Sequence, residues 1–146
     1  MNRDEALVHG LLEATERDAL SRFLFEAFIK LKPGSLCKVD RGTLPRRLRI
    51  LADEIASEAS AQEVSIYKLG NRFGIPTFCS WMGKEIFGIF QSGFGCSLHE
   101  SYAIERSLYE LAQSYLAFTS LHAKAEAEKH NNSEALAKPG CCSGGL

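Results

Sequence analysis

No stretch of this chain carries the roughly 18 consecutive apolar residues that a membrane-spanning helix needs, so no membrane partner is expected. Behind Met1-Asn2-Arg3-Asp4-Glu5 there is no apolar h-region, which argues against a secretory signal. Cysteines are few and poorly spaced for stapling. There are five, Cys37, Cys79, Cys96, Cys141 and Cys142, an odd number with no C-x-x-C. That argues against a disulfide framework and against a zinc ribbon, and the expectation is reduced thiols in a cytoplasmic protein. Positive charge is not in excess either. Lys and Arg number 17 against 18 Asp and Glu, a formal net charge of -1, so nothing draws the chain to nucleic acid. There is no G-x-x-x-x-G-K-S/T phosphate loop and no solenoid-type repeat.

What is present is an ordinary globular mix, 45% hydrophobic and 24% charged over 146 residues, enough for one domain. Strong helix formers from Asp4 to about Lys32 predict a long helix, stopped by Pro33-Gly34. A loop through Asp40-Arg41-Gly42 leads to a second helix, from Pro45 to about Ala59, with Leu48, Leu51, Ile55 and Ala59 at helical spacing. Val64, Ile66 and Leu69 suggest one strand, Ile75 to Trp81 a second and Ile86 to Gln91 a third, the last two joined as a hairpin across Met82-Gly83-Lys84. Ser92-Gly93-Phe94-Gly95 reads as a glycine-rich connection, and Ser97-x-x-Glu100 as the capping box of a last helix. That helix is expected to run to about His122, weakening toward Lys129, with a core stripe of Ile104, Leu108, Leu111, Tyr115 and Phe118. The fold class is therefore α/β (α+β): two N-terminal helices, about three strands and one long C-terminal helix. Residues 4–120 form the folded part, and 121–146 a low-complexity tail expected to be disordered.

Two groups of carboxylates stand out. In the first helix the stripe of Leu20, Leu24 and Ala27, followed backwards, lands on Glu16, Glu13 and His9. Two carboxylates on an otherwise apolar face are costly unless a cation lies between them, and Mg²⁺ is commonly held by one or two carboxylates together with substrate phosphates. In the last helix Arg106, Glu110 and Gln113 share the side opposite the core stripe. By spacing alone the plainer reading is stronger in both places, because E-x-x-E and R-x-x-x-E are common on solvated helix faces. A glycine-rich turn before a helix could also cradle a phosphate, but two glycines are weak evidence.

The whole string resembles one family. The segment from Ala6 to Ala19, with His9, Glu13 and Glu16-Arg17-Asp18, is similar to the first ATP-site helix of YcaO domains, whose hallmark is E-x-x-E-R-D. Gly74-Ile75-Pro76-Thr77 resembles the family's "giP" strand, and Gly93-Phe94-Gly95-Cys96-Ser97 its "GxGxH" turn. The segment from Ala103 to Gln113 resembles its A-x-x-R-A-L-x-E-x-x-Q helix. Four ordered matches cover roughly Asp4 to Leu116, most of the chain.

The resemblance implies a partial YcaO-like domain that uses ATP and Mg²⁺ to activate a peptide backbone amide by phosphorylation. A thiol, hydroxyl, sulfide or amide nucleophile then gives an azoline, thioamide or related product. It implies Glu13, Glu16, Arg17, Arg106, Glu110 and Gln113 as nucleotide-binding residues, with Glu13, Glu16 and Glu110 as metal ligands. The two arginines would contact phosphate or brace the carboxylates. It also implies a peptide or protein substrate, an E1-like or TfuA-like partner protein, or a second copy of the chain. The chain departs from the pattern at His9, where members often have Ser, and at Gly95-Cys96-Ser97 in place of Gly-Ala-His. No Arg follows Arg106, the proline-rich C-terminus of azoline-forming members is missing, and a full YcaO domain is much longer. The competing expectation is a non-catalytic remnant or docking module of the same fold.

Overall fold

The structure, a computed structural model, describes residues 2–30, 37–86 and 89–136. It divides between Tyr115 and Leu116 into two compact units. The first holds the α+β fold. Helix α1 (Arg3–Leu24) opens with the Glu5 carboxylate accepting from the Asn2 N–H at 2.9 Å, and it passes into a π-helical turn at Phe25–Ile29. The expected stop at Pro33-Gly34 lies outside the described residues. Where a loop was expected, a two-residue strand β1 (Cys37–Lys38) forms, followed by a 3₁₀ turn at Arg41–Thr43. Helix α2 (Arg46–Glu58) then begins one residue later than expected, with Pro45 flanking it.

Strands β2 (Val64–Lys68), β3 (Thr77–Ile86) and β4 (Ile89–Cys96) complete an antiparallel sheet in the order β1-β2-β3-β4. The sheet has four strands rather than about three. The expected hairpin of the last two long strands is present, but its turn is not at Met82-Gly83-Lys84. Those residues lie inside β3, where the ladder slips register between Trp81 and Glu85, so the signal taken for a turn marks a bulge. Ile75-Pro76 precedes its strand instead of lying within it. Asn71 shapes this approach, accepting from the Phe73 and Ile75 amides and donating to the Ile75 carbonyl and Thr77 hydroxyl. Gly74 supplies the positive φ of 68° that the bend needs.

One sheet face is the main core. Leu48, Ala52, Ile55 and Ala56 of α2 and Ala103, Ile104, Leu108 and Leu111 of helix α3 (Glu100–Leu136) bury Val64, Ile66, Phe78 and Met82. Tyr115 packs at its edge, and a buried Ser80–Ser107 hydroxyl pair at 2.6 Å ties β3 to α3. The other face receives α1, whose Ala19 and Phe23 meet Leu69, Cys79 and Phe94. The packed stripe of α1 thus runs through Thr15, Ala19 and Phe23, not through Leu20 and Leu24, and Leu24 is exposed.

The second unit, 116–146, contains the remainder of α3, described to Leu136 and so beyond the expected weakening at Lys129. Cys141 and Cys142 lie outside the described residues.

Candidate active site

Edge strand β4 is held between two helices, one on each face of the sheet. Gly93 and Gly95 are the reason α3 can lie so close. A Cβ on Gly93 would fall 2.2 Å from the Leu111 nitrogen and the Ser107 oxygen, and one on Gly95 would fall 2.1 Å from the Ala103 oxygen. Ser92-Gly93-Phe94-Gly95 is therefore strand, not a phosphate-cradling turn, and its glycines admit a helix backbone. Ser97 does not cap α3 through a box with Glu100. Its hydroxyl accepts from the His99 N–H at 3.2 Å, and Glu100, the first helical residue, pairs with Lys68.

The alternation of β4 turns Phe94 toward α1 and Gly93 and Gly95 toward α3, so residues of both helices reach the strand's open edge. From α1 comes Glu16, from α3 Arg106 and Glu110. Burial raises the Glu16 carboxyl above its ordinary range, and Glu110 raises it further, while Arg106 and the Cys96 backbone offset part of this. Burial likewise raises Glu110, against the Phe94 backbone and Arg106, although the residue as a whole is exposed. Phe94 and Cys96 are two apart on one strand, so the same unpaired edge faces both carboxyls. Arg106 donates to the Cys96 carbonyl at 3.1 Å, which fixes its guanidinium at that edge. One Glu16 oxygen, Oε2, is buried with no hydrogen-bond partner.

The remaining sequence candidates lie further out. Glu13 is exposed and pairs with Arg17 at 2.8 Å, and that guanidinium holds its carboxyl below the usual range. It acts on Glu16 only weakly. Gln113 is exposed on α3, three residues beyond Glu110. Among the described residues, no group of three or more His, Cys, Asp or Glu is placed to hold a metal unaided. Burial disfavours the thiolate form at both buried thiols. Burial pushes Cys79 up to about 12 and raises Cys96 as well.

Residues 1–139 match the family model described as YcaO cyclodehydratase, ATP- and Mg²⁺-binding. The chain belongs to the YcaO family. Among solved structures it is similar to YcaO from Methanopyrus kandleri bound with AMPPCP and Mg²⁺, at 26% identity and a TM-score of 0.67, over 82% of this chain and 30% of that one. It thus spans less than a third of that relative's length. Comparison with curated proteins finds no match.

The residues at the β4 edge fit the cofactors of a YcaO protein. Both carboxyls are raised by burial and Glu16 further by the Glu110 charge, an arrangement that a positive charge supplied from outside would relieve. A buried oxygen without a partner is the chemical complement of a hard cation. With too few protein ligands for a closed cage, the set suits Mg²⁺ that brings phosphate oxygens of its own. Tyr102 lies one turn before Arg106 on the same side of α3 and is about half exposed.

Proposed function

We propose that this chain supplies part of the ATP·Mg²⁺ site of a YcaO-type enzyme that phosphorylates peptide backbone amides. The products would be azolines, thioamides or related groups in a ribosomal peptide or protein. The observation that carries the reading is the unpartnered, buried oxygen of Glu16 beside Glu110 and Arg106. Bound Mg·ATP would supply a transferable phosphoryl group, turning the amide oxygen into a leaving group as the bond to the ADP oxygen breaks. The chain's own part is to bind and orient. Glu16 and Glu110 would hold the cation, and Arg106, anchored on the Cys96 carbonyl, would stabilise charge on the phosphates. Glu13, with Arg17, would act from the rim. Because the chain spans 30% of the solved relative, the amide substrate and an E1-like or TfuA-like protein would meet it together with further segments of the fold.

A second reading, a docking module without catalysis, draws on the exposed Leu7, Val8 and Leu11 of α1. Calorimetry with Mg·ATP separates the two. The wild type is expected to bind, Glu16→Ala/Glu110→Ala to lose binding, and Glu13→Ala to lose least. A folded wild type that binds no Mg·ATP would sink the enzyme reading in favour of docking. An effect of Glu13→Ala equal to the double substitution would show that the β4 edge is not the metal-holding centre.

A further inference from the structure

The two edges of the sheet are built differently. At one edge β1 is two residues long and carries Lys38, the short, charged kind of strand that keeps other chains away. At the other, β4 runs from Ile89 to Cys96 with no charged residue and no proline. Its ladder shows which backbone groups face outward. The Ser97 amide donates to the Pro76 carbonyl, toward β3, and the Thr77 carbonyl, opposite Cys96, accepts from the Leu69 amide on the β2 side. Backbone groups alternate along an antiparallel strand, so Ser92, Phe94 and Cys96 turn theirs to the open edge. The helices use part of this row. Glu16 and Glu110 lie against the Cys96 and Phe94 backbone, and Arg106 donates to the Cys96 carbonyl. Among the described residues, no side chain bonds the Ser92 backbone.

The same stretch is aromatic on one face. Phe90 is about half exposed and meets the Trp81 ring edge-on at 5.6 Å, and Tyr67 lies on the other side of Trp81 at 6.4 Å. By strand alternation these rings continue the face that α1 covers at Leu69, Cys79 and Phe94. A strand added at Ser92 would stand about 4.8 Å from β4 and set alternate side chains against Phe90 and Trp81. Ser92 is two residues, about 7 Å of strand, from Phe94, where Glu110 lies. The group that the ATP reading activates is a backbone amide, and main-chain pairing fixes an amide whatever side chain it carries. The stretch Ile89–Ser92 is too short to bury the roughly 1,200–2,000 Å² of a stable protein pair, which disfavours a second copy. We propose that the open edge of β4 receives the peptide substrate as an added strand, paired at Ser92 with an apolar side chain against Phe90, so that its next amides lie beside Glu16 and Glu110. The proposal rests on the ATP·Mg²⁺ reading above and adds to it the seat of the peptide.

The test titrates the full chain by calorimetry with a blocked Val/Thr peptide that has one central Cys, and separately with Mg·ATP. The wild type is expected to bind the peptide. The same peptide with consecutive N-methylated amides, which has no strand edge to offer, should lose binding. Ser92→Pro takes away the outward N–H and leaves the ladder to β3, so it should weaken the peptide by about tenfold or more and keep Mg·ATP affinity. Ser92→Ala, which retains the N–H, should match the wild type. Phe90→Ala should weaken the peptide and leave Mg·ATP unchanged. A folded wild type that binds the two peptides equally, or neither, would overturn the strand assignment. So would a Ser92→Pro chain that keeps full peptide affinity. A concentration-dependent dimer that Ser92→Pro abolishes would overturn it in favour of a second copy at the same edge. A wild type that binds the peptide and not Mg·ATP would overturn the ATP·Mg²⁺ reading and leave β4 as a docking strand. Retained Mg·ATP binding shows that Ser92→Pro is folded, and the comparison of the two peptides on the wild type does not depend on that variant.

Discussion

Glu13 and Glu16 are the same residue type three positions apart on one helix, yet they do different things. Glu16 borders the packed stripe of Thr15 and Ala19 and loses water. Glu13, turned further round, keeps its water and takes Arg17 as partner. Spacing placed both on one face but could not tell which edge of that face the sheet would cover. The difference has a measurable sign. The Glu16 and Glu110 carboxyls are raised in the folded chain, so the native state binds more protons than the unfolded one between the unfolded and folded pKa values. Stability therefore falls as pH rises through that window, and the full cost is present above it. Glu16→Gln should raise the thermal midpoint at pH 7 and give no gain at about pH 3, below the ordinary Glu range of about 4.3. Glu13→Gln should raise nothing at pH 7, because its carboxyl is lowered. Thermal melts of the three proteins at both pH values check this. A Glu16→Gln midpoint at or below the wild type at pH 7 would mean that the buried oxygen is satisfied within the chain.

At the scale of elements, the order of helices and strands was legible because each long segment repeats its apolar residues at 3.6 or 2. The acidic segments were placed on the right helices for the same reason. What was not legible is the meaning of the glycines in Ser92-Gly93-Phe94-Gly95. Glycine in sequence marks a turn or a close approach, and only the partner distinguishes them. Here the partner is the α3 backbone, 2.1–2.2 Å from where either Cβ would stand. Gly93→Ala and Gly95→Ala must each push α3 off β4, and overpacking of this kind costs about 1–3 kcal/mol or more. Because Arg106 reaches the Cys96 carbonyl only while α3 stays down, these variants should lose nucleotide affinity as well as stability. Gly10 is the control. It lies within α1 with nothing inside 4 Å of its Cβ position, so Gly10→Ala should stabilise by about 1 kcal/mol. Urea unfolding of the three variants gives the comparison. A Gly95→Ala chain as stable as the wild type would show that α3 does not sit on β4 this closely.

At the scale of the whole molecule, the candidate site is confined to the first unit. Glu16, Arg106 and Glu110 all belong to residues 2–115, whereas α3 goes on to Leu136. From Ala112 to Glu126 no residue of α3 is buried. Backbone hydrogen bonds in a helix are protected from exchange chiefly by what its side chains bury, so one helix should show two levels of protection. Amides from Ala103 to Leu111 should exchange only through opening of the core, and those after Leu116 through local opening. Mg·ATP adds a second contrast. A ligand that binds only the folded chain stabilises it by RT ln(1 + [L]/Kd), about 2.7 kcal/mol at a hundredfold excess over Kd. That gain should slow exchange in α1, β4 and the first turns of α3, whose packing makes the site, and leave the amides after Leu116 at their ligand-free rates. Hydrogen–deuterium exchange with and without Mg·ATP reads both contrasts at once. Slowing spread equally to Leu136 would mean that the ligand engages the second unit as well, and the site would then have to be sought along the whole of α3.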